Sequence, residues 1–152
     1  MSGEAIADRL RRFLLIVSAA SCLGISAELW LTEHTGEAMQ LVPFVLCGLG
    51  FVASAAALLR PGRRTLLALR LVMIPVAMGS LLGVWEHLEG NLEFAHELQP
   101  GASTGAALLE AIYGAAPLLA PAALALIAVL ALAATYYHPM LEGRVLGIGY
   151  WI

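Results

Sequence analysis

The sequence predicts an all-α membrane protein: a four-transmembrane-helix bundle with both termini on the cytoplasmic side. Three observations predict it. Apolar residues make up 61% of the 152 positions and charged residues 12%, with a mean hydropathy of +0.86. A soluble domain carries about 45–50% apolar and about 25% charged residues, so this inventory cannot coat a water-facing surface. The apolar residues fall into four runs, each near the roughly 20 residues that cross hydrocarbon as a helix. All eight basic residues are Arg, and all lie at the same end of those runs.

The first run spans 13–31 and follows Arg9, Arg11 and Arg12. A basic start before an apolar stretch also marks a secretory signal, but this run exceeds the roughly 7–15 residues of a signal core, so a retained helix is expected. The second run, 39–59, carries Pro43 in its first turn, where a missing N–H costs little. Arg60-Pro61-Gly62-Arg63 then reads as a tight turn. The third run, 65–88, holds Pro75 in mid-span, predicting a kink, and Arg70 near its start, where the head group is expected to snorkel toward water. Glu86, Glu89, Glu93 and Glu97 recur three and four apart, so this helix is expected to continue outward until Pro100-Gly101 breaks it. Within the long connection 89–114, Ser103 is expected to cap a short helix over 105–113, with Leu108, Leu109 and Ile112 resting on the membrane surface. The fourth run spans 115–137, with Pro117 and Pro121 near its start. A membrane β-barrel would need alternating polarity and more strands than this chain holds. The whole chain, 1–152, is read as one integral membrane domain, and the apolar tail Val145–Ile152 as a docking element.

The run ends echo one another. Trp30-Leu31-Thr32-Glu33-His34 closes the first and Trp85-Glu86-His87-Leu88-Glu89 the third; Arg60-Pro61 closes the second and His138-Pro139 the fourth. This suggests a parallel repeat of two helical hairpins, packed about an axis along the membrane normal.

The arginines set direction. By the positive-inside rule their end is cytoplasmic, in the cell (inner) membrane, and the opposite, acidic end is external. Trp30 and Trp85 mark the outer interface, and Tyr136 and Tyr137 the inner one. A formal charge of −3 removes the electrostatic basis for nucleic-acid binding. No phosphate loop, nucleotide motif or nucleophile–base pair is present, so a binding or accessory role is expected ahead of an enzymatic one. Cys22 and Cys47 stand alone in apolar runs, without a CxxC, and are expected to act as small core hydrophobes, as are Met73 and Met78. Ser18, Ser21, Gly24, Gly48, Gly50 and Ser54, with the GxxxG of Gly79 and Gly83, are expected to let helices approach closely.

Chemistry is expected at the acidic end, where His and Glu gather without Arg or Lys. Imidazole nitrogen with carboxylate oxygen suits Zn²⁺, Mn²⁺, Fe or Cu²⁺. Glu28, His34, Glu86 and His87 make one candidate ligand set, with Asn91 lining the same mouth; Glu93 and His96 make a second. Glu93 and His96 have the Glu-x-x-His spacing of di-iron bundles, though such sites use two pairs and this chain has one. Glu28 lies about a turn below the interface, and an ionised carboxylate costs roughly 2.5–3.5 kcal/mol at the bilayer centre and less near the edge. It is therefore expected to face the bundle and to carry a proton or contact a cation. The expected function is an accessory subunit or carrier that binds a divalent cation at its outer face. The alternatives are a structural subunit that docks in lipid against other membrane subunits or a second copy without metal, and a membrane metalloenzyme or redox subunit.

Overall fold

The computed structural model describes residues 2–142, with the backbone alone at 142; Arg144 and the tail 145–152 lie outside the described residues. The protein is all-α and 81% helical, with no strand among the described residues. Helix α1 is Gly3–Leu31, α2 Val42–Leu59, α3 Arg63–Leu98, α4 Thr104–Ile112, α5 Leu119–Ala133 and α6 Pro139–Glu142. Among the described residues three segments are long and apolar enough to cross a membrane: Gly3–Leu31, Met39–Leu59 and Arg63–Leu98. Helix α5 is apolar but shorter. Its 15 residues reach about 22 Å, against about 30 Å of hydrocarbon. The expected run 115–137 is thus helical only over its middle. Pro117 falls before the helix, and turns occupy its far end.

Local signals explain the helix limits. Helix α1 starts well before its apolar run because the Ser2 hydroxyl accepts the Ala5 N–H and Asp8 pairs with Arg12 one turn on, at 3.0 Å. It ends in a Schellman motif. The Glu33 N–H reaches the Trp30 carbonyl and the His34 N–H that of Leu29, with Glu33 at φ 54° in the left-handed position that glycine usually fills. A 3-10 turn, Met39–Leu41, leads into α2, with Pro43 in its first turn. The Thr65 hydroxyl accepts the Gly62 N–H at 3.1 Å and closes the tight turn before α3. Helix α3 runs unbroken through Pro75 and Gly90 for 36 residues, about 54 Å, so it projects well beyond a bilayer core. Ser103 caps α4 by accepting the Ala106 N–H.

The long helices form a ring in which α1 packs on α2, α2 on α3, α3 on α5 and α5 back on α1. Each neighbour runs antiparallel, so the helix ends gather as an arginine-rich end and an acidic end. The core is built from narrow stripes, Leu15 and Cys22 on α1, Leu46 and Cys47 on α2, Leu69, Met73 and Val76 on α3, and Leu124 and Ile127 on α5. Phe13, Leu23, Val52, Leu71, Ile74 and Val129 face outward, an exterior suited to lipid rather than water.

The small residues divide into two kinds. Gly79 abuts Leu46 of α2, and a Cβ at Gly83 would stand 2.7 Å from Pro121 of α5, so the two glycines of the GxxxG serve different neighbours. Ser80 between them donates to the Pro121 carbonyl at 2.8 Å. Gly24 and Gly48, by contrast, face open space. The expectation that they allow close helix approach within the chain is corrected: they lie on the outside of the ring.

Candidate functional site

At the acidic end, order comes from neutral groups. Asn91 is buried on the projecting part of α3. Its amide nitrogen donates to the carbonyls of Ala111 at 3.0 Å and Ala116 at 2.8 Å, and its oxygen accepts the Ala116 N–H at 2.9 Å. Gly114 lies so close that any side chain there would collide with the Asn91 amide. One side chain thereby fastens both the end of α4 and the connection to α5. Ala95 of α3 and Ala107 and Ala111 of α4 pack behind it, and Leu108, Leu109 and Ile112 are left outward. This corrects the expectation that Asn91 lines a mouth with Glu28; its polar atoms are engaged on the α4 side.

His87, one turn earlier, shares a hydrogen bond between Nδ1 and the Pro117 carbonyl at 3.0 Å. A carbonyl only accepts, so Nδ1 carries the proton of this bond, and in the neutral ring Nε2 holds the lone pair. That tautomer is the one a metal-binding histidine uses when a carbonyl orients its other nitrogen. His96 bonds through Nδ1 to the Leu92 carbonyl at 2.9 Å on its own helix, and Glu93 beside it is exposed. His34 is placed by the Schellman turn and is half-buried, while Glu86 is exposed. Among the described residues no three His, Cys, Asp or Glu side chains converge into a group that could hold an ion. The candidate ligands are therefore dispersed: His87 toward α5, His96 along α3, His34 at the α1 turn.

Glu28 faces the outside of the ring rather than its interior. It stands at the acidic end of an open groove of about 400 Å³ between α1 and α5, lined also by Ser21, Gly24, Ile25, Leu126 and Leu130. The groove walls are apolar or small, and Gly24 leaves its floor open. No residue of the chain offers the Glu28 carboxylate a hydrogen bond or a cation among the described residues.

The arginine-rich end is organised by charge. Arg70 donates from Nε to the Thr135 hydroxyl at 2.9 Å and from Nη2 to the Thr135 carbonyl at 3.1 Å. The snorkelling expected of Arg70 is replaced by a clamp on the C-terminus of α5, where a cation also meets the negative end of the helix dipole. Arg11 donates to the Tyr137 carbonyl at 2.9 Å, holding Tyr137 at φ 44°. His138 accepts the Met140 N–H at Nδ1, 3.3 Å away. Burial first, and then the Arg11 charge, push its pKa below the ordinary 6.5, against an opposing pull from Asp8.

Two features were hidden in the sequence. Asn91 has no charge or motif to announce it; only Gly114, beyond an apolar helix, hints at a close approach. Cys22 and Cys47 form a side-by-side pair across α1 and α2, a relation that their similar distance from the turn joining those helices allows but does not declare. Comparison with known proteins finds no counterpart: no family model, no curated protein and no solved structure matches this chain.

Proposed function

We propose that this chain is a small integral membrane subunit that docks laterally against a partner membrane protein. It crosses the bilayer four times as two parallel hairpins, with α5 as the fourth span, both termini cytoplasmic and the acidic end external. The observation that carries this reading is the Glu28 carboxylate, which has no partner among the described residues and stands at the head of an open groove of small and apolar residues. A carboxylate facing lipid is costly; a partner helix with Lys or Arg at matching depth would remove that cost while its backbone settles against Gly24. Outside the bilayer, exposed Glu33, Glu37, Glu86, Glu89, Glu93, Glu97 and Glu110 favour a partner with a basic external surface, and Leu108, Leu109 and Ile112 of α4 rest on the membrane surface.

A second reading has its own supporting observation. In the neutral ring the Nδ1 bond of His87 to Pro117 leaves Nε2 free to bind a divalent cation, with Glu86, Glu28 and His34 as the further ligands of that set and Glu93 with His96 as a separate set.

Reporter fusions at Gly62 and Gly101 test the topology: they report opposite sides of the membrane, and labelling of one side only removes the four-span arrangement. For function, Glu28→Gln is expected to reduce recovery of partner proteins by mild-detergent co-purification without loss of helix content. Elemental mass spectrometry separates the readings. Stoichiometric zinc, manganese, iron or copper that disappears on replacing His34 and His87 together supports the cation site, whereas unchanged partner recovery in Glu28→Gln removes the docking reading.

A further inference from the structure

Three sulfur side chains from three helices meet inside the ring. The Cys22 thiol of α1 and the Cys47 thiol of α2 lie within hydrogen-bonding reach of each other. Cys22 also reaches Gly50, one turn along α2 from Cys47. A Cβ there would stand 3.1 Å from Cys22 Sγ and 3.7 Å from the methyl of Met73, which α3 contributes. Cys22 and Cys47 are each 1% exposed and Met73 is 0% exposed. Single buried cysteines act as small hydrophobes, but a facing thiol pair with a methionine side chain beside a position that lacks a side chain gathers soft donors from three helices. The hard, oxygen-rich candidates at the acidic end lie on other residues.

We propose that Cys22, Cys47 and Met73 form a binding site for a soft monovalent ion, Cu⁺. Thiolate and thioether ligands select Cu⁺ over harder divalent ions. Each thiol ligates as its thiolate. When Cu⁺ binds, two S–H bonds break, two S–Cu bonds form and two protons leave to solvent, with no electron transferred, and the Met73 thioether adds a neutral donor. Met73 is unbranched and can turn its sulfur toward the pair. Ser26, one turn along α1 from Cys22 and within reach of Cys47, is a polar step between the sulfurs and the acidic end.

The test uses the full chain, purified in detergent under reducing, oxygen-free conditions and titrated with Cu⁺ against a coloured Cu⁺ chelator. One Cu⁺ per chain is expected, with X-ray absorption showing sulfur neighbours only. Replacing Cys22 and Cys47 together by Ala should weaken binding by more than the roughly 10–100-fold that even an outer-shell change costs at metal sites. Gly50→Ala, which fills the cradle and removes no sulfur, and Met73→Leu, which keeps the volume, should each weaken it less, whereas Glu28→Gln should leave it unchanged. Absence of a bound equivalent in the unsubstituted protein, a nitrogen or oxygen shell around the copper, or equal affinity in the double Ala variant overturns the proposal. The absorption measurement needs no variant and so does not depend on how well any of them folds.

Discussion

The two ends of the bundle are held by opposite means. At the arginine-rich end, cations do structural work: Arg70 and Arg11 close on carbonyls at the end of α5, and Arg12 pairs with Asp8. At the acidic end, Glu28 and the exposed glutamates do none of it, and Asn91, His87 and Ser80 bind α5 and its approach to α3. The difference follows from helix direction. Carbonyls left over at a helix C-terminus attract Arg, and both α2 and α5 end where the arginines are. The N-termini of α2 and α5 at the other end offer N–H groups that a carboxylate could cap, but neither carries a side-chain cap; amide and imidazole groups bind the loose backbone and leave the carboxylates for solvent or partners. Charge thus orients the chain at both ends but builds structure at one.

The largest expected effect tests the neutral side of that contrast. Asn91→Ala removes three hydrogen bonds and leaves the Ala111 and Ala116 groups without partners, at a cost of about 3 kcal/mol. Hydrogen exchange over 104–118 should accelerate while α1 and α2 stay protected; uniform protection would show that α4 is held by its alanine face alone. Next comes the clamp. Arg70→Met keeps the apolar stem and removes the guanidinium, which should cost about 2 kcal/mol and lower the midpoint of thermal unfolding in detergent. Replacing Glu86, Glu89 and Glu93 together by Gln should leave that midpoint nearly in place. An equal drop in both variants would end the distinction between the ends.

The smallest effect concerns pH. His138 has a folded pKa below its ordinary value, so the unfolded chain binds a proton first as pH falls. Its contribution to stability is complete above about pH 6.5, declines as pH drops through the lower folded value, and is then lost. Protonation also ends the acceptance of the Met140 N–H. The unfolding midpoint should therefore fall between about pH 7 and about pH 5, with a shallower slope in His138→Gln. An identical slope would place the acid sensitivity elsewhere.

Hydropathy and breaker residues made much of the fold legible. The second run and its proline, the outward continuation of α3 to Pro100 and the Ser103 cap are all local in character, written in neighbouring residues. The start of α1 was less clear, because Ser2 and the Asp8–Arg12 pair extend the helix through a charged stretch that hydropathy ignores. So was the length of α5, since its apolar run continues past the residues that keep helical geometry. The candidate site was legible only as a collection of residue types. Glu28, His34, His87 and His96 could be read as candidate ligands at one end, but their separate directions could not.

The sequence by itself determined that the chain is helical and apolar, where its long helices lie and which end carries the arginines. Each of these depends on the order of residues along one segment. Tertiary structure alone decided that Gly83 meets Pro121 while Gly24 and Gly48 face outward, that Asn91 fastens α4, that Arg70 clamps α5, and that Cys22 lies beside Cys47. The physical reason is the helices' own composition. Segments that are apolar all the way round carry no polar stripe to say which face turns inward. The rotation and depth of each helix are then set by how its small and polar side chains fit the neighbours, and that fit exists only once the helices are together.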